Sequence, residues 1–546
     1  MVGMRGVMKV AIKKIRPYFP FANIRPQQET ALEFLHNSFI DDNKKFVILE
    51  AGTGVGKSAI GYTFAQFMNA TYTGSAYFLT TQKILQQQYM TDFGMPKGPM
   101  CSISSSSNYQ CTFHKNQSCG ESLRALRTAV RGSPFWKNCM LNCCYKNEKE
   151  NFLNSKVSVT NFPYFMAESQ YAGKIKPRNF LVIDEAHNVA GELSKFIEIT
   201  ISERFSKSFI GKSLPAKGTP LQYITWIKNE YLPSLKQRLA HLEKMLEKYV
   251  GLKEKIRSGE FASISKKFDS LDKHVCKVNR FLKLYSPENW VLNEIPPEGK
   301  SGKKIEFKPI DVAPFSDEML FNFGEKILLM SATILDKNAF CELLGIAKSQ
   351  CSFLTLPTPF PAENRPIFYS GVGKMSANHI TETLPKLVDA VREILKQHKN
   401  EKGIIHCHSY RIANYIKKNI RSRRLLIHNS FNRDKILSQH CDSKSPTVLI
   451  SPSMTEGVDL YDDLSRFQII CKVPYPYLGD KLIRKKMNKW TWWYPLQTAK
   501  TIVQAVGRSI RSDSDQAITY ILDSDWDTFF KRNRSFFPDS FREAIL

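Results

Sequence analysis

The chain has 546 residues, is 42% hydrophobic and 24% charged, and carries a formal net charge of +27. That length exceeds one ordinary domain, and that composition excludes a largely disordered or fibrous chain. The 78 Lys and Arg against 51 Asp and Glu favour a polyanionic partner, because each neutralised phosphate releases a counterion; a merely basic protein is the alternative.

Residues 1–21, MVGMRGVMKVAIKKIRPYFPF, are basic and lack a sustained apolar core with a small-residue cleavage site. No signal peptide is expected, Met4 and Met8 are alternative starts, and no apolar run is long enough to span a bilayer. The expectation is a soluble protein of the cytoplasm, in a bacterial or virus-infected host cell, or of the nucleus for a eukaryotic source.

Short apolar runs at 46–49, 76–79, 180–183 and 327–330 each end in a polar or Gly-rich turn. Such runs suit the buried centre of a parallel sheet, with functional loops at the strands' carboxyl ends. The first run leads into Ala51-Gly52-Thr53-Gly54-Val55-Gly56-Lys57-Ser58, followed by an apolar segment of helical character. Its glycines let backbone N–H groups turn inward around phosphate oxygens. Lys57 would neutralise the β/γ-phosphates and Ser58 would offer a hydroxyl to Mg²⁺. Ala51 stands where the strict phosphate-loop pattern has Gly, and a chance Gly-rich turn is the alternative.

Six of the 12 cysteines fall between Cys101 and Cys144, in a stretch rich in serine and basic residues. It reads as a small inserted domain held by a metal centre rather than by a large core. Arg124, Arg127, Arg131 and Lys137, mixed with Phe135, Trp136 and Tyr145, suit a strand-tracking groove; a solvated helix face and a mini-core explain them equally well.

The run at 180–183 leads into Asp184-Glu185-Ala186-His187. Asp184 could hold Mg²⁺ through water, Glu185 could orient or deprotonate the attacking water, and His187 could link nucleotide state to the Ser331-Ala332-Thr333 loop. Between 191 and 318 the pattern changes. Leu235, Leu239, Leu242, Leu246 and Tyr249 alternate in steps of four and three, as do Ile264, Phe268, Leu271, Val275, Val278, Leu282 and Tyr285. Two such stripes joined by a short basic link predict an antiparallel helical hairpin, with Pro233 in its first turn and 296–304 as an exit loop.

A second set of apolar runs, at 403–407, 447–450, 467–471 and 517–522, predicts a second α/β domain. Trp490, Trp492, Trp493 and Tyr494 are read as core more than as a stacking platform. Within Gln504–Arg511, Arg508 and Arg511 stand about one helical turn apart, so both can face a leaving γ-phosphate; a surface ion-pair role is the alternative.

The motif order resembles the superfamily 2 helicases, and within them the XPD/DinG iron–sulfur family. Arg25-Pro26-Gln27-Gln28 looks like its adenine motif, and Thr80-Thr81-Gln82-Lys83 with Leu85 and Gln88 like motif Ia. Ser331-Ala332-Thr333, His406-Cys407-His408-Ser409-Tyr410, Glu456-Gly457-Val458-Asp459 and Gln504–Arg511 fall in the places of motifs III, IV, V and VI. The resemblance covers most of 19–525.

It implies two RecA-like parallel-sheet domains with an inserted iron–sulfur domain and a mainly helical Arch domain. The expected divisions are helicase domain 1 at 19–100, 150–190 and 319–360, the iron–sulfur domain at 101–149, the Arch at 191–318, and helicase domain 2 at 361–546. Ser107-Asn108-Tyr109-Gln110-Cys111 and Cys143-Cys144-Tyr145 resemble the first and last ligand patterns, although serines replace the usual Gly-Arg and Cys144 the usual Pro. The resemblance thus implies Cys111, Cys119, Cys139 and Cys143 as ligands of a 4Fe–4S cluster. Cys144 could replace Cys143, Cys101 is an outside candidate, and zinc or plain structural thiols are the other readings.

The catalytic residues expected are Lys57, Asp184, Glu185, Arg508 and Arg511. Those expected around ATP and Mg²⁺ are Arg25, Gln28, Gly52, Thr53, Gly54, Val55, Gly56, Lys57, Ser58, Asp184 and Gln504. The implied activity is ATP-driven 5′-to-3′ movement on single-stranded DNA, by a monomer that separates duplexes in repair, recombination or replication. Single-stranded and forked DNA are the expected partners, with R-loops or RNA–DNA hybrids also open. A translocase or remodeller that separates no strands is the alternative.

Overall fold

In the computed structural model the described residues are 12–126, 129–249, 259–297, 302–429, 431–452, 460, 462–510 and 515–546. Met4, Met8, Arg127, the hairpin link at 250–258, part of the loop 296–304, Glu456–Asp459 and Arg511 lie outside them.

Helix α1 (Pro26–His36) leads into β1 (Phe46–Ala51), α2 (Lys57–Tyr72), β2 (Ala76–Thr80), α3 (Lys83–Phe93) and β3 (Cys101–Ile103). The cysteine-rich segment adds α4 (Cys119–Leu126), α5 (Pro134–Leu141) and α6 (Cys144–Asn154). The chain then returns to the first sheet through β4 (Val157–Asn161) and β5 (Arg178–Ile183), followed by α7 (Val189–Ile197). With β9 (Gly324–Ser331) and β10 (Cys351–Leu356), which flank α10 (Lys337–Leu344), these strands form a parallel seven-stranded sheet in the order β10-β1-β9-β5-β2-β4-β3. β1 is buried along its whole length. Its side chains alternate between two cores, with Val47 and Leu49 on one face and Phe46 and Ile48 on the other.

The strand β3 moves a boundary. Cys101–Ile103 pairs with β4 at the edge of this sheet, so 101–103 belong to it rather than to the insert, and α6 runs past 149. The sequence hid this because a three-residue edge strand carries too few positions to show a period.

The next segment holds α8 (Leu232–Glu247) and α9 (Gly259–Leu284), packed against each other as a hairpin. Helical structure begins earlier than expected, at Pro220, and passes through a π turn at Ile227–Tyr231. Pro233 stands in the first turn of α8, as expected, but that turn continues the helical run. Proline has no N–H to give the preceding turn, and a π turn there accommodates the mismatch. The segment also contains β6 (Ile199–Ser202), β7 (Trp290–Ile295) and β8 (Lys304–Pro309), an antiparallel sheet that roots the hairpin and that the helical reading missed. Apolar side chains of the hairpin and root share one core with a face of the first sheet.

The second domain is a parallel six-stranded sheet in the order β11-β16-β15-β12-β14-β13. Its strands are β11 (Ile367–Gly373), β12 (Gly403–His406), β13 (Leu425–Ile427), β14 (Val448–Ser451), β15 (Phe467–Ile470) and β16 (Ile518–Asp523). Helices α11 (Lys481–Lys489) and α12 (Trp493–Val506) connect β15 to β16. The change from one sheet to the other falls in 357–366. Two RecA-like α/β domains are thus present. No helix among the described residues is long and apolar enough to cross a membrane.

Candidate active site

β1, β9 and β5 are neighbours in the first sheet, so three sequence-distant loops meet at their carboxyl ends. β1 ends in the glycine loop, β5 in Asp184-Glu185, and β9 in Ser331-Ala332-Thr333. The loop turns into α2 at Gly56, whose φ of +86° suits a residue without Cβ. A Cβ there would lie 2.4 Å from Gln28 Nε2, so Gly56 also admits the Gln28 side chain.

Gln28 is 5% exposed and uses both ends of its amide on main chain. Nε2 donates to the Val55 carbonyl at 3.0 Å, and Oε1 accepts from the Arg25 N–H at 2.9 Å. The Arg25 guanidinium donates to the Gly54 carbonyl. The pair expected to read adenine thus braces the glycine loop. Lys57 Nζ donates to the Ala51 carbonyl at 3.1 Å, folded across that loop.

Asp184 is buried, accepts from Tyr89 Oη at 3.0 Å, and caps the Glu185 N–H at 2.9 Å. Burial first, then the Glu185 charge, raises its pKa to about 6. Glu50, at the end of β1, is also raised by burial and accepts from the Leu335 N–H at 2.7 Å. Neither Tyr89 nor Glu50 was singled out from sequence. Their partners lie 95 and 285 residues away, so no local spacing announces them.

His187 joins the two domains. Its Nε2 accepts from Gln504 Nε2 at 2.8 Å, which leaves the proton on Nδ1, 2.8 Å from Ser331 Oγ and 3.2 Å from Glu185 Oε2. Gln504 Nε2 also lies 3.2 Å from Thr333 Oγ1, and Lys500 Nζ donates to the His187 carbonyl at 3.1 Å. Gly52, Thr53, Gly54, Gly56, Lys57, Ser58, Asp184, Glu185, Gln504 and Arg508 line one cleft of about 990 Å³ between the domains. Val55 is buried beneath the loop, and Arg25 and Gln28 stand behind it. Residues 360, 365 and 542 (Phe360, Arg365 and Arg542), not foreseen from sequence, line the same cleft. His406 and His408, at the end of β12, have pKa values lowered by burial to about 3 and about 4.

Cys111, Cys119, Cys139 and Cys143 are all buried, whereas Cys144 is exposed and Cys101 lies on β3. Cys119 Sγ and Cys143 Sγ are 3.4 Å apart. Cys119 is pushed up to about 12 by burial and then by the three neighbouring sulfurs, and Cys139 up to about 11 by burial and by Cys143 and Cys111. Four buried thiols in one small insert are a donor set of the kind a metal centre would use. Among the described residues, no three His, Cys, Asp or Glu side chains stand at the spacing of a single bound metal ion. Nearby, Arg124 Nε pairs with Asp269 Oδ2 of α9 at 2.7 Å, so this arginine of the anticipated groove ties the insert to the hairpin.

Comparison with known proteins places this geometry. A family model described as a helicase C-terminal domain matches residues 391–544, and one described as the res subunit of type III restriction enzymes matches 21–211. The chain is 25% identical over 258 residues to the ATP-dependent DNA helicase DinG of Photobacterium profundum, covering 43% of this chain and 36% of that protein. It is 20% identical over 585 residues to the ATP-dependent DNA helicase YoaA of Haemophilus influenzae, covering 88% of each. Among solved structures it is similar to an XPD helicase, with a TM-score of 0.61 at 18% identity over 94% of this chain and 98% of that one. Xpd4 of S. tokodaii follows with a TM-score of 0.57 at 14% identity, over 96% and 100%.

Proposed function

We propose that the chain is an XPD/DinG-like superfamily 2 helicase, a reading its family models and relatives support, and that it hydrolyses ATP to move along single-stranded DNA and separate duplexes. The observation that carries this is the shared cleft. Lys57, Asp184 and Glu185 from one domain and Arg508 from the other line the same space. Lys57 and the loop N–H groups would hold the phosphates, Asp184 would hold Mg²⁺, Glu185 would orient the attacking water, and Arg508 would stabilise charge on the transferred phosphoryl. Arg511 is assigned the same task from its place in the motif.

ATP favours the closed cleft because only there do both domains reach the phosphates; hydrolysis removes that preference. Each cycle then shifts one domain along a bound strand. The net charge of +27 supports the polyanionic partner. The DNA preference is supported by relatives named as DNA helicases, and the 5′-to-3′ direction is taken from the motif resemblance. Cys111, Cys119, Cys139 and Cys143 would hold a 4Fe–4S cluster, whose bonds would cross-link the small insert. A repair, recombination or replication setting is carried over from the motif resemblance.

Strand displacement on 5′-tailed and 3′-tailed duplexes, with DNA and RNA tails, tests the reading. The expected result is ATP-dependent displacement of the 5′-tailed DNA substrate. ATP turnover stimulated by single strands without displacement on any substrate would replace this reading with a translocase that separates nothing.

A further inference from the structure

Helix α12 touches both the hydrolysis motif and the root of the Arch segment. Near its carboxyl end, Gln504 and Lys500 bond His187, beside Glu185. At its amino end, Trp493 joins Trp490, which follows α11, in a buried cluster with Val291 of β7 and Ile310 beyond β8. Leu343 of α10 packs on the same cluster, so three units of the molecule meet there. Lys489 Nζ pairs with Asp311 Oδ2 at 2.6 Å across this junction. Further charges are paired in sign along it, Asp480 acting on Lys308 and Lys481 on Glu294.

Between its two ends α12 is seated in its own domain, with Ala499, Ile502 and Ala505 buried against Ile470 of β15 and Ile521 of β16. On the side that faces the first domain, a pocket of about 110 Å³ is lined by Leu496, Gln497 and Lys500 of α12 and by His187, Thr333 and Phe340. Close-packed interfaces resist sliding, and this pocket leaves fewer contacts between α12 and the first domain than a closed interface would have. The helix has 14 residues, a rigid rod of about 20 Å.

We propose that α11 and α12 form a transmission element that ties the Arch root to the state of the nucleotide cleft. When the cleft closes, His187 and Gln504 set the carboxyl end of α12, the rod moves with its own domain against the first, and Trp490, Trp493 and Lys489 carry the displacement into β7 and β8. Lys489, Trp490 and Trp493 are positioning residues here; none lines the cleft.

The inference rests on the helicase reading for its purpose but not for its test. Hydrogen exchange of the β7 amides is measured in the full chain with and without a non-hydrolysable ATP analogue, beside single-strand-stimulated ATP turnover and strand displacement. The wild type is expected to change its exchange at β7 on binding the analogue. Trp490→Ala should cut that response about fivefold or more. Because that variant loses buried packing, Lys489→Glu is the second arm. It should weaken the response and the displacement per ATP while turnover stays within about twofold, less than the weakest such coupling would cost, and Lys489→Arg should keep both. An unchanged β7 response in Lys489→Glu and Trp490→Ala, or no response in a wild type that binds the analogue, overturns the proposal. A β7 response in a protein that displaces no strand supports the transmission and removes the helicase reading instead.

Discussion

Gln28 offers a test that separates bracing of the phosphate loop from recognition of the base. Its buried amide makes two main-chain hydrogen bonds, to Val55 at 3.0 Å and from Arg25 at 2.9 Å. Gln28→Ala removes both. Each is worth about 1 kcal/mol net, and more where a buried group is left unsatisfied. A total of about 2 kcal/mol corresponds to about 30-fold in affinity if the loop must hold this shape to bind. Gln28→Glu keeps the acceptor for Arg25 but loses the donor to Val55, so about 1 kcal/mol, or about fivefold, is expected. Titration with fluorescent ATP and GTP analogues reads the loss. A bracing residue weakens both nucleotides alike. Loss of ATP affinity with GTP binding untouched, or wild-type affinity for both, would refute the reasoning.

Lowering the pH should loosen the hairpin through His274, whose Nε2 lies 2.9 Å from Tyr231 Oη and whose pKa is lowered by burial to about 4. Unfolded histidine binds a proton at about 6.5, so this stabilisation is complete above pH 6.5, erodes as pH falls, and is lost by about pH 4. At pH 5 the loss is about 2 kcal/mol. Hydrogen exchange in Gly259–Leu284 should accelerate accordingly in the wild type, and less in His274→Gln. In the cysteine-rich insert, Cys144→Ser should keep bound iron and visible absorption, whereas Ser at Cys111, Cys119, Cys139 or Cys143 should lose both; iron analysis of the purified variants checks this.

Much of the cleft was legible because its chemistry is local in sequence. Glycines at 52, 54 and 56, Asp184-Glu185 and Gln504–Arg511 each require a short pattern at a strand or helix end, and uninterrupted apolar runs marked the central strands. What escaped depends on distant partners. Arg178 was not singled out from sequence, yet it is 6% exposed and donates to Ala76, Ser158, Phe152 and Leu153 while lying 3.8 Å over the Tyr77 ring. Tyr89 reads as one more apolar position on α3, yet its hydroxyl holds Asp184. The antiparallel root of the Arch was hidden for a related reason. β8 alternates between buried and half-buried residues, but its Lys and Glu positions read as solvated loop until β6 and β7 flank it. The helical stripes at 235–249 and 264–285 were visible because one apolar face repeats over several turns.

The account stands on two domains acting on one triphosphate, and a double-mutant cycle on ATP turnover tests that most directly. Lys57→Ala and Arg508→Ala, alone and together, are assayed with saturating single-stranded DNA. Each single variant should lose turnover by about three orders of magnitude, and the double should be no worse than the poorer single, because groups that serve one transition state are not additive. Wild-type turnover in either single variant, or losses that simply multiply, would contradict the meeting of Lys57 and Arg508 on a common phosphate.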